Sequence, residues 1–315
     1  MSEEQTGTKS CCTPTRNGGD AHSPKQTSAC RETAHPNTVS IPGGTGLVGT
    51  NRPELALDGE SPLRKSRVKP FRIDTTTVTN ARFAAFVEAT GHVTEAERLR
   101  DSFVFQGFLS GAARNAPPVP GTPWWRMVPG ANWRAVYGPG SEGAAPPDHP
   151  AVHISWHDAN AFATWAGGRL PTEAEWEHAA RGGQGDVRFP WGDAEPNDTD
   201  SFPCNIWQGR FPEEDLGRDG FTGTAPARSF APNGYGLYNM VGNVWEWTSQ
   251  PFRVKSLKRQ VKQAHAGKAG FKITKGGSFL CHPSYCYRYR IAARSGTSPD
   301  STMSHQGFRL VYDGA

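Results

Sequence analysis

Glycine and proline interrupt this chain at short intervals along almost its whole length. The 315 residues include 36 glycines and 26 prolines, and both residue types favour turns over long helices or strands. Hydrophobic residues make up 36% of the sequence, which at this length is enough to bury a substantial core. We therefore expect a loop-rich α+β fold with little regular secondary structure.

Three segments carry the local signals of a helix. Each begins at a residue whose side chain can cap exposed backbone N–H groups, continues with apolar residues at helical spacing, and ends at or beside glycine. Residues 110–150, rich in proline, glycine and tryptophan, are expected to be ordered but irregular. The predicted helices run from Thr79 or Asn80 to Gly91, from Ser155 to Trp165, and from Pro171 to Gly182.

The first 37 residues differ in composition from the rest. They are rich in serine, threonine, glycine, asparagine and proline and contain almost no aliphatic side chains, so they lack the apolar surface needed to order themselves. No internal repeat or linker divides the remainder. We predict a flexible N-terminal tail at residues 1–37 and a single domain at residues 38–315.

Charge and cysteine content exclude several functional classes. The 34 lysines and arginines nearly balance the 30 acidic residues, so nothing in the overall charge favours nucleic-acid binding. The basic run at residues 253–275 is interpreted as a solvated surface loop rather than a docking patch. No apolar run is long enough to span a membrane, and the N-terminus lacks an apolar signal core. Six cysteines without a dense disulfide pattern favour a reducing cytoplasm.

The strongest chemical signal is a pair of cysteines in the segment GGSFLCHPSYCYRYRIAARS, residues 276–295. Cys281 and Cys286 have four residues between them, and nearby arginines can favour the reactive thiolate. Two thiolates on a short loop can bind a soft ion such as Cu(I) or close a redox disulfide. Structural zinc would need further ligands, and no second pair has the required spacing. Judged by spacing alone, two unrelated buried cysteines are an equally good interpretation.

This segment closely resembles the formylglycine-generating enzymes, also called sulfatase-modifying factors. Several further stretches resemble the same family in the same order, and the resemblance covers nearly the whole predicted domain. The stretches RLPTEAEWE and GNVWEW mark the wider superfamily, whereas the cysteine pair is specific to its oxidase branch. Further matching stretches include VTNARFAAFVEATGHVTEAE, HPAVHISWHDANAFATWAGG, FPWGD, CNIWQGRFP, DGFTGTAPARSF and GFRL.

The resemblance implies a fold related to C-type lectins and a copper-dependent oxidase. Such an enzyme converts the cysteine of a C-x-P-x-R motif in sulfatases to Cα-formylglycine with O2, and thereby activates them. Sulfatase polypeptides would bind as unfolded or extended segments. Cys281 and Cys286 would hold Cu(I), and the substrate thiolate would join them as a third ligand.

The resemblance also assigns residues to the reaction pocket and the peptide groove. Ser278 is expected to form a hydrogen bond near the substrate thiol or oxygen, and Trp245 to wall a small dry pocket. Trp124, Trp125 and Tyr285 are candidates for lining the peptide groove. Ordinary packing remains the alternative for each of these side chains.

Two calcium sites are implied in the same way. Calcium prefers several hard oxygen ligands, and backbone carbonyls can supply some of them. Without the resemblance, the Asn and Asp residues at these positions would be taken as turn formers. The first site would use Asn205, Ile206, Asp219 and Phe221, and the second Asn239, Gly242, Val244 and Glu246.

The sequence departs from the family pattern at a few positions. Ile291 and Leu310 stand where animal members have disulfide-forming cysteines, which favours a bacterial-type enzyme in a reducing compartment. His305 stands where relatives often have asparagine, and this departure bears on local substrate contacts. Cys204, beside the first calcium site, is expected to be a small buried hydrophobe.

The tail contains CTPTR, residues 12–16, which fits the C-x-P-x-R substrate pattern. Short motifs arise by chance, and chance is one interpretation here. The other is that Cys12 is a self-substrate or part of an autoinhibitory pseudo-substrate.

Two other functions are compatible with the superfamily stretches alone. An iron-dependent sulfoxide synthase would need a histidine-rich iron site in a helical part that this chain lacks. A non-catalytic, lectin-like binding module would keep GNVWEW and the calcium-like turns without either cysteine. Cys281 and Cys286 in their family context therefore favour the oxidase.

Overall fold

The computed structural model describes residues 13–16, 37–254 and 259–314. Within these ranges the chain forms five α-helices, four short 3₁₀ helices and twelve short strands. The helices are α1 (Asn80–Thr90), α2 (Glu95–Leu99), α3 (Trp156–Trp165), α4 (Glu173–Ala180) and α5 (Arg259–His265). The strands are β1 (Thr38–Ile41), β2 (Gly44–Val48), β3 (Arg64–Val68), β4 (Phe71–Asp74), β5 (Asp101–Phe105), β6 (Pro118–Val119), β7 (Thr122–Pro129), β8 (Trp245–Pro251), β9 (Lys272–Lys275), β10 (Ser295–Thr297), β11 (Gln306–Gly307) and β12 (Val311–Asp313).

The three predicted helices are present and begin where their capping residues indicate. The side chain of Thr79 caps α1, which ends at Gly91 in the left-handed conformation. Ser155 caps α3 and Thr172 caps α4, each in a reciprocal capping box. These boundaries were predictable because a cap is satisfied by residues within one turn of it.

The strands pair into four small sheets rather than one large one. Strands β1, β4 and β12 form an antiparallel sheet, β2 pairs with β3, and β5, β7 and β6 form a third sheet. The fourth has the order β10-β9-β8-β11, with β11 parallel to β8. The fold is therefore loop-rich α+β, as the glycine and proline content predicted.

Residues 181–244 contain no helix or strand. Polar side chains form hydrogen bonds with backbone groups that regular secondary structure would otherwise pair. Both ends of the buried Asn243 amide bind the backbone of Ala225, at 2.9 and 3.1 Å. The Asn233 amide donates to the carbonyl of Ala179, at 2.8 Å. Such bonds satisfy buried backbone groups that would otherwise carry a large desolvation penalty.

The structure differs from the sequence-based expectation in two places. Residues 110–150 include the eight-residue strand β7, although this stretch was expected to be irregular. The basic run at 253–275 was interpreted as a solvated loop, which is wrong for helix α5 (Arg259–His265) and for the last residues of the run. These last residues form β9, and Lys275 is fully buried with its Nζ 2.8 Å from Glu177. A buried lysine is tolerated because this carboxylate compensates its charge.

Three hydrophobic clusters make up most of the core. One lies between α1 and α3, and another under the β5–β7 sheet. The third contains Cys281, Cys286 and Trp245, packed against α4 and the β1–β4 pair. In the described ranges, no helix has the length and apolar character that a membrane crossing requires.

Candidate active site

The two cysteines of the predicted site lie side by side in the core. Tight turns bring them together: the Cys281 N–H donates to the Ser278 carbonyl at 2.9 Å, and the Cys286 N–H to the His282 carbonyl at 2.8 Å. The two sulfur atoms are 3.0 Å apart, and both residues are fully buried. This separation exceeds a disulfide bond of about 2.05 Å, so the sulfurs are adjacent but not joined to each other.

A close backbone approach explains the double glycine that precedes this turn. Gly277 adopts a positive φ of 71°, and a Cβ atom there would meet the backbone of Tyr289 at 2.9 Å. Because glycine alone combines this conformation with this proximity at little cost, the Gly276–Gly277 pair allows the cysteine segment to fold back on itself.

Polar groups surround the sulfur pair. The Ser278 N–H donates to the Cys281 sulfur at 3.4 Å. The Arg288 guanidinium lies 3.9 Å from the Cys286 sulfur and is held by Asp58 at 2.7 Å. A positive charge and an N–H donor both stabilise an anionic sulfur, so the site favours thiolate chemistry.

His305 connects the predicted residues Ser278 and Trp245. Its Nδ1 is 2.9 Å from the Ser278 hydroxyl, and its carbonyl accepts the Trp245 backbone N–H at 2.8 Å. The ring is fully buried, and burial lowers the pKa of His305 to about 3, so it is neutral at physiological pH. Ser278 therefore contacts the thiol pair and Trp245 lies in the same core cluster as the pair, and the roles of both residues stay predictions.

The aromatic residues predicted to line the groove differ in how deeply they are buried. Trp124 meets Tyr285 edge to face at 4.9 Å, and Tyr285 stacks on Phe211 at 4.0 Å. All three are only partly buried. Trp125 is fully buried, with its ring 4.7 Å from that of His305. Trp124 and Tyr285 therefore form an accessible aromatic wall, while Trp125 supports the pocket from beneath.

Sequence reasoning did not assign a site role to His305, Arg288 or Phe211. The departure at His305 and the arginines after Cys286 were noted, but neither pattern indicates which side chain reaches the pocket. The only sequence signal that could have indicated a site role for Phe211 is its position in the family-matching stretch CNIWQGRFP. These assignments depend on contacts between distant parts of the chain.

The four positions of the first predicted calcium site lie together. The Asp219 carboxylate accepts N–H bonds from Ile206 at 3.3 Å and Phe221 at 3.0 Å, and Asn205 is next in sequence to Ile206. The amide nitrogen of buried Gln208 binds both the Ile206 carbonyl and the Asp219 carboxylate. Two predicted oxygen ligands therefore converge on one point, and this convergence fits a cation.

The charges around this position support the same interpretation. Burial raises the pKa of Asp219, and burial together with Asp219 and Asp198 raises the pKa of Asp215 to about 6. The hydrogen bonds that Asp215 and Asp219 accept from the described residues come from backbone N–H groups and from the Gln208 amide, none of which carries a positive charge. Desolvated carboxylates without a cationic partner are a favourable environment for Ca²⁺.

The second predicted calcium site receives mixed support. The buried side-chain oxygen of Asn239 has no hydrogen-bond partner among the described residues, so it is available to bind a cation. Both Glu246 oxygens, however, accept bonds from Arg309 at 2.7 and 2.8 Å, so its charge is already balanced. Gly242 and Val244 are buried in the turn between them.

Across the described ranges, no cluster of three or more His, Cys, Asp or Glu side chains has the arrangement of a metal site. The predicted copper site has only two such side chains, Cys281 and Cys286, and the predicted calcium sites depend largely on amide and backbone oxygens. Cys12, the predicted self-substrate, lies outside the described residues, although the four residues after it are included. Buried Cys204 packs in the same core cluster as the thiol pair, and burial raises its pKa well above the usual value.

Comparisons with known proteins identify the family of this chain. A family model described as the sulfatase-modifying factor enzyme 1-like domain matches residues 23–314. The chain is 52% identical over 282 residues to a formylglycine-generating enzyme of Thermomonospora curvata, covering 87% of this chain and 93% of the relative. It is 43% identical to a mouse protein named inactive C-alpha-formylglycine-generating enzyme 2, and the match covers 88% of this chain and 85% of that protein.

A solved structure supports the fold. The structure of PvdO from Pseudomonas aeruginosa superposes with a TM-score of 0.59 at 24% identity, covering 87% of this chain and 93% of that one. At this identity the likeness shows the fold alone. The family model, by contrast, covers nearly the whole described chain, and the two relatives described above are 52% and 43% identical to this chain. The chain therefore belongs to the FGE-sulfatase family of sulfatase-modifying factor enzyme 1-like proteins.

Proposed function

We propose that this protein oxidises the cysteine of a C-x-P-x-R segment in sulfatases to Cα-formylglycine and thereby activates them. Because one of its relatives is named inactive, family membership alone does not establish the activity. The observation that carries the proposal is the pair of buried, adjacent sulfur atoms at Cys281 and Cys286. A lectin-like binding module would have no use for such a pair.

The thiol pair fits Cu(I) by its chemistry. Thiolates are the soft ligands that Cu(I) prefers, and two of them leave room for a third sulfur from the substrate. When bound, copper would supply the one-electron chemistry that lets O2 oxidise the substrate cysteine. Cys281 and Cys286 would hold the ion, and Arg288 and the Ser278 N–H would stabilise their negative charge.

The remaining pocket residues bind, orient and exclude water. The Ser278 hydroxyl, 2.9 Å from Nδ1 of the neutral His305 ring, would form a hydrogen bond with a substrate sulfur or oxygen. Trp245 is fully buried in the same core cluster as the cysteines and would keep the pocket dry, which would strengthen each electrostatic contact inside it. Trp124 and Tyr285 would receive the flanking residues of an extended peptide.

The electron balance identifies a further reactant. Replacing the CH2–SH group by an aldehyde, with release of H2S, is a two-electron oxidation, whereas reduction of O2 to water takes four electrons. Two molecules of a thiol reductant would supply the other two electrons and leave as a disulfide. This requirement is compatible with the reducing cytoplasm predicted from the cysteine pattern, and that location remains part of the proposal.

The test follows conversion of a synthetic C-x-P-x-R peptide by mass spectrometry and by an aldehyde-reactive probe. The protein is loaded with Cu(I) and supplied with O2 and thiol. We expect wild type to convert the peptide, and Cys281→Ser and Cys286→Ser to lose conversion together with Cu(I) affinity, because a hydroxyl is a poor ligand for a soft ion. Cu(I) affinity is measured separately by competition with a chromogenic chelator.

Cys204→Ala is the matched control, since it removes a thiol from the same core cluster without touching the pair. It should keep both conversion and Cu(I) binding. If wild type binds Cu(I) but leaves the peptide unchanged, the oxidase proposal is wrong and a non-catalytic peptide-binding module replaces it.

A further inference from the structure

Four residues of the N-terminal tail lie against the folded domain. Thr13 and Pro14 are buried, and Arg16 contacts the domain with both its backbone and its side chain. Its backbone N–H donates to the Ser301 hydroxyl at 3.1 Å, and its carbonyl accepts from the Ser298 hydroxyl at 3.5 Å. The domain therefore binds the tail through its backbone as well as its side chain.

The Arg16 side chain has its own recognition site. One guanidinium nitrogen forms an ion pair with the Asp101 carboxylate and also donates to the Asp101 carbonyl at 2.8 Å. The guanidinium carbon lies 5.5 Å from the centre of the Phe103 ring. The Arg16 side chain is only 12% exposed and that of Asp101 only 25%. Charge pairing combined with an aromatic face is selective for arginine over lysine.

The same stretch of chain connects this arginine site to the thiol pocket. Residues 302–304 pair with β5 through backbone hydrogen bonds to Phe103. Ser301, at one end of this stretch, binds Arg16, and His305, at the other, binds Ser278 beside Cys281. Four residues span at most about 14 Å, so the arginine site lies within reach of the pocket for a short peptide.

The sequence around Arg16 fits the distance between the arginine site and the thiol pocket. In a C-x-P-x-R motif the arginine follows the reactive cysteine by four residues, and Thr13–Arg16 provides the x-P-x-R part of CTPTR. The 20 residues from 17 to 36 can extend to roughly 66 Å. Covalent geometry therefore allows the tail to reach the groove of its own chain.

We propose that Thr13–Arg16 occupies the peptide groove of its own chain and competes there with external C-x-P-x-R segments. This inference rests on the proposed function, because it identifies the groove as the substrate site. The occupant is held by Asp101, Phe103, Ser298 and Ser301. A tethered competitor acts at a high effective concentration, so even weak docking reduces the apparent affinity for free peptide.

The test measures peptide binding without metal or turnover. A fluorescent C-x-P-x-R peptide with serine in place of its cysteine is titrated into metal-free wild type, Arg16→Ala and Arg31→Ala. Arg31→Ala removes the same charge from the tail outside the motif. If the tail fills nine-tenths of the grooves, its release lowers the apparent Kd about tenfold. We expect this decrease for Arg16→Ala and no change for Arg31→Ala.

Hydrogen exchange observes the docking directly. In wild type, fragments that contain residues 13–16 should be protected, because the Arg16 N–H is bonded to Ser301, and excess peptide should remove the protection. Steady-state kinetics should show a lower peptide KM for Arg16→Ala with little change in kcat.

The possible results separate the two proposals. Equal, measurable affinity in all three proteins, with no protection of residues 13–16, overturns the competition and leaves the oxidase proposal intact. If none of the three proteins binds or converts the peptide, the proposed substrate groove is wrong and the competition fails with it.

Discussion

At the scale of single residues, His153 shows how burial controls ionisation in this fold. Its ring is fully buried between the Ser102 hydroxyl at 2.6 Å and the Val136 carbonyl at 2.8 Å. Because a carbonyl oxygen can only accept a hydrogen bond, the neutral ring carries its proton on Nε2. Burial lowers the pKa of His153 to about 4. Its backbone φ of 60° is also unusual for a residue with a side chain.

This environment predicts that the protein loses stability in mild acid. Below pH 6.5 the unfolded chain protonates His153 while the folded chain does not until about pH 4. The free energy of unfolding should therefore fall by up to about 1.4 kcal/mol per pH unit in this window. His153 alone should account for about 2 kcal/mol of this loss at pH 5. Denaturant unfolding between pH 7 and 4.5 measures it.

His153→Asn is the informative comparison, because asparagine tolerates positive φ and does not titrate. Its unfolding free energy should be lower than that of wild type at pH 7 and should approach the wild-type value as pH falls. Two parallel curves would mean that His153 does not carry the acid sensitivity, and the other fully buried histidine, His305, would then be the candidate.

The thiol pair could be predicted from sequence, whereas the histidines could not. Cys281 and Cys286 lie in one short segment with a family-specific pattern, so local sequence contains most of the information. The environment of His153 comes from Ser102 and Val136, which belong to other elements. Nothing within a window around His153 indicates that these groups will enclose it.

At the scale of secondary-structure elements, β7 places two adjacent tryptophans in different environments. Successive side chains of a strand point to opposite faces. Trp124 contacts Tyr285 and Phe211 at the accessible wall, whereas Trp125 packs on Phe105 and His305 in the interior. The position of this strand decides which tryptophan can meet a peptide.

We therefore expect the two alanine substitutions to separate binding from stability. Trp124→Ala should raise the peptide KM several-fold and leave unfolding nearly unchanged, because it removes an accessible contact. Trp125→Ala should lower the free energy of unfolding by about 3–5 kcal/mol, because it leaves a large cavity. Peptide kinetics and chemical denaturation of both variants measure these effects, and each variant is the control for the other.

The opposite result would place the groove elsewhere. If Trp124→Ala has wild-type kinetics while its fold is intact, the wall formed with Tyr285 does not contact the peptide. A small loss of stability in Trp125→Ala would show that the pocket does not depend on packing beneath it.

Helices were easier to predict than sheets for a physical reason. The caps at Thr79, Ser155 and Thr172 are satisfied within one turn, so a short window contains the signal. Strand β4, in contrast, pairs with residues 311–313, more than 230 positions further along the chain. The strand β7 was missed because its proline and glycine neighbours resemble a loop, and its pairing with β5 decides otherwise.

At the scale of the whole molecule, the site depends on segments with no regular structure. Residues 181–244 connect α4 to β8 and contain all the predicted calcium ligands except Glu246. The half-buried carboxylates of Asp215 and Asp219 in this segment have raised pKa values because partial burial disfavours the charged form. A bound cation would offset that penalty and fix the loops that support the Phe211 side of the groove.

This leads to a prediction about calcium and global stability. Calcium should raise the Tm of wild type, and a chelator should reverse the effect, because an ion that binds only the folded state stabilises it by mass action. At a concentration 100-fold above the Kd, the gain is about 2.7 kcal/mol, which corresponds to roughly 5–10 °C in a domain of this size. Asp219→Asn should lose most of this increase.

Asp200→Asn is the matched control, because Asp200 is an exposed carboxylate in the same irregular segment and is not among the predicted ligands. Differential scanning calorimetry with and without calcium should give Asp200→Asn the full wild-type increase. If Asp219→Asn keeps the full increase as well, the stabilising ion is not at the first site. The position at Asn239, whose buried side-chain oxygen has no partner among the described residues, would then be tested with Asn239→Ala. No increase in wild type would mean that the polar side chains hold these loops without calcium.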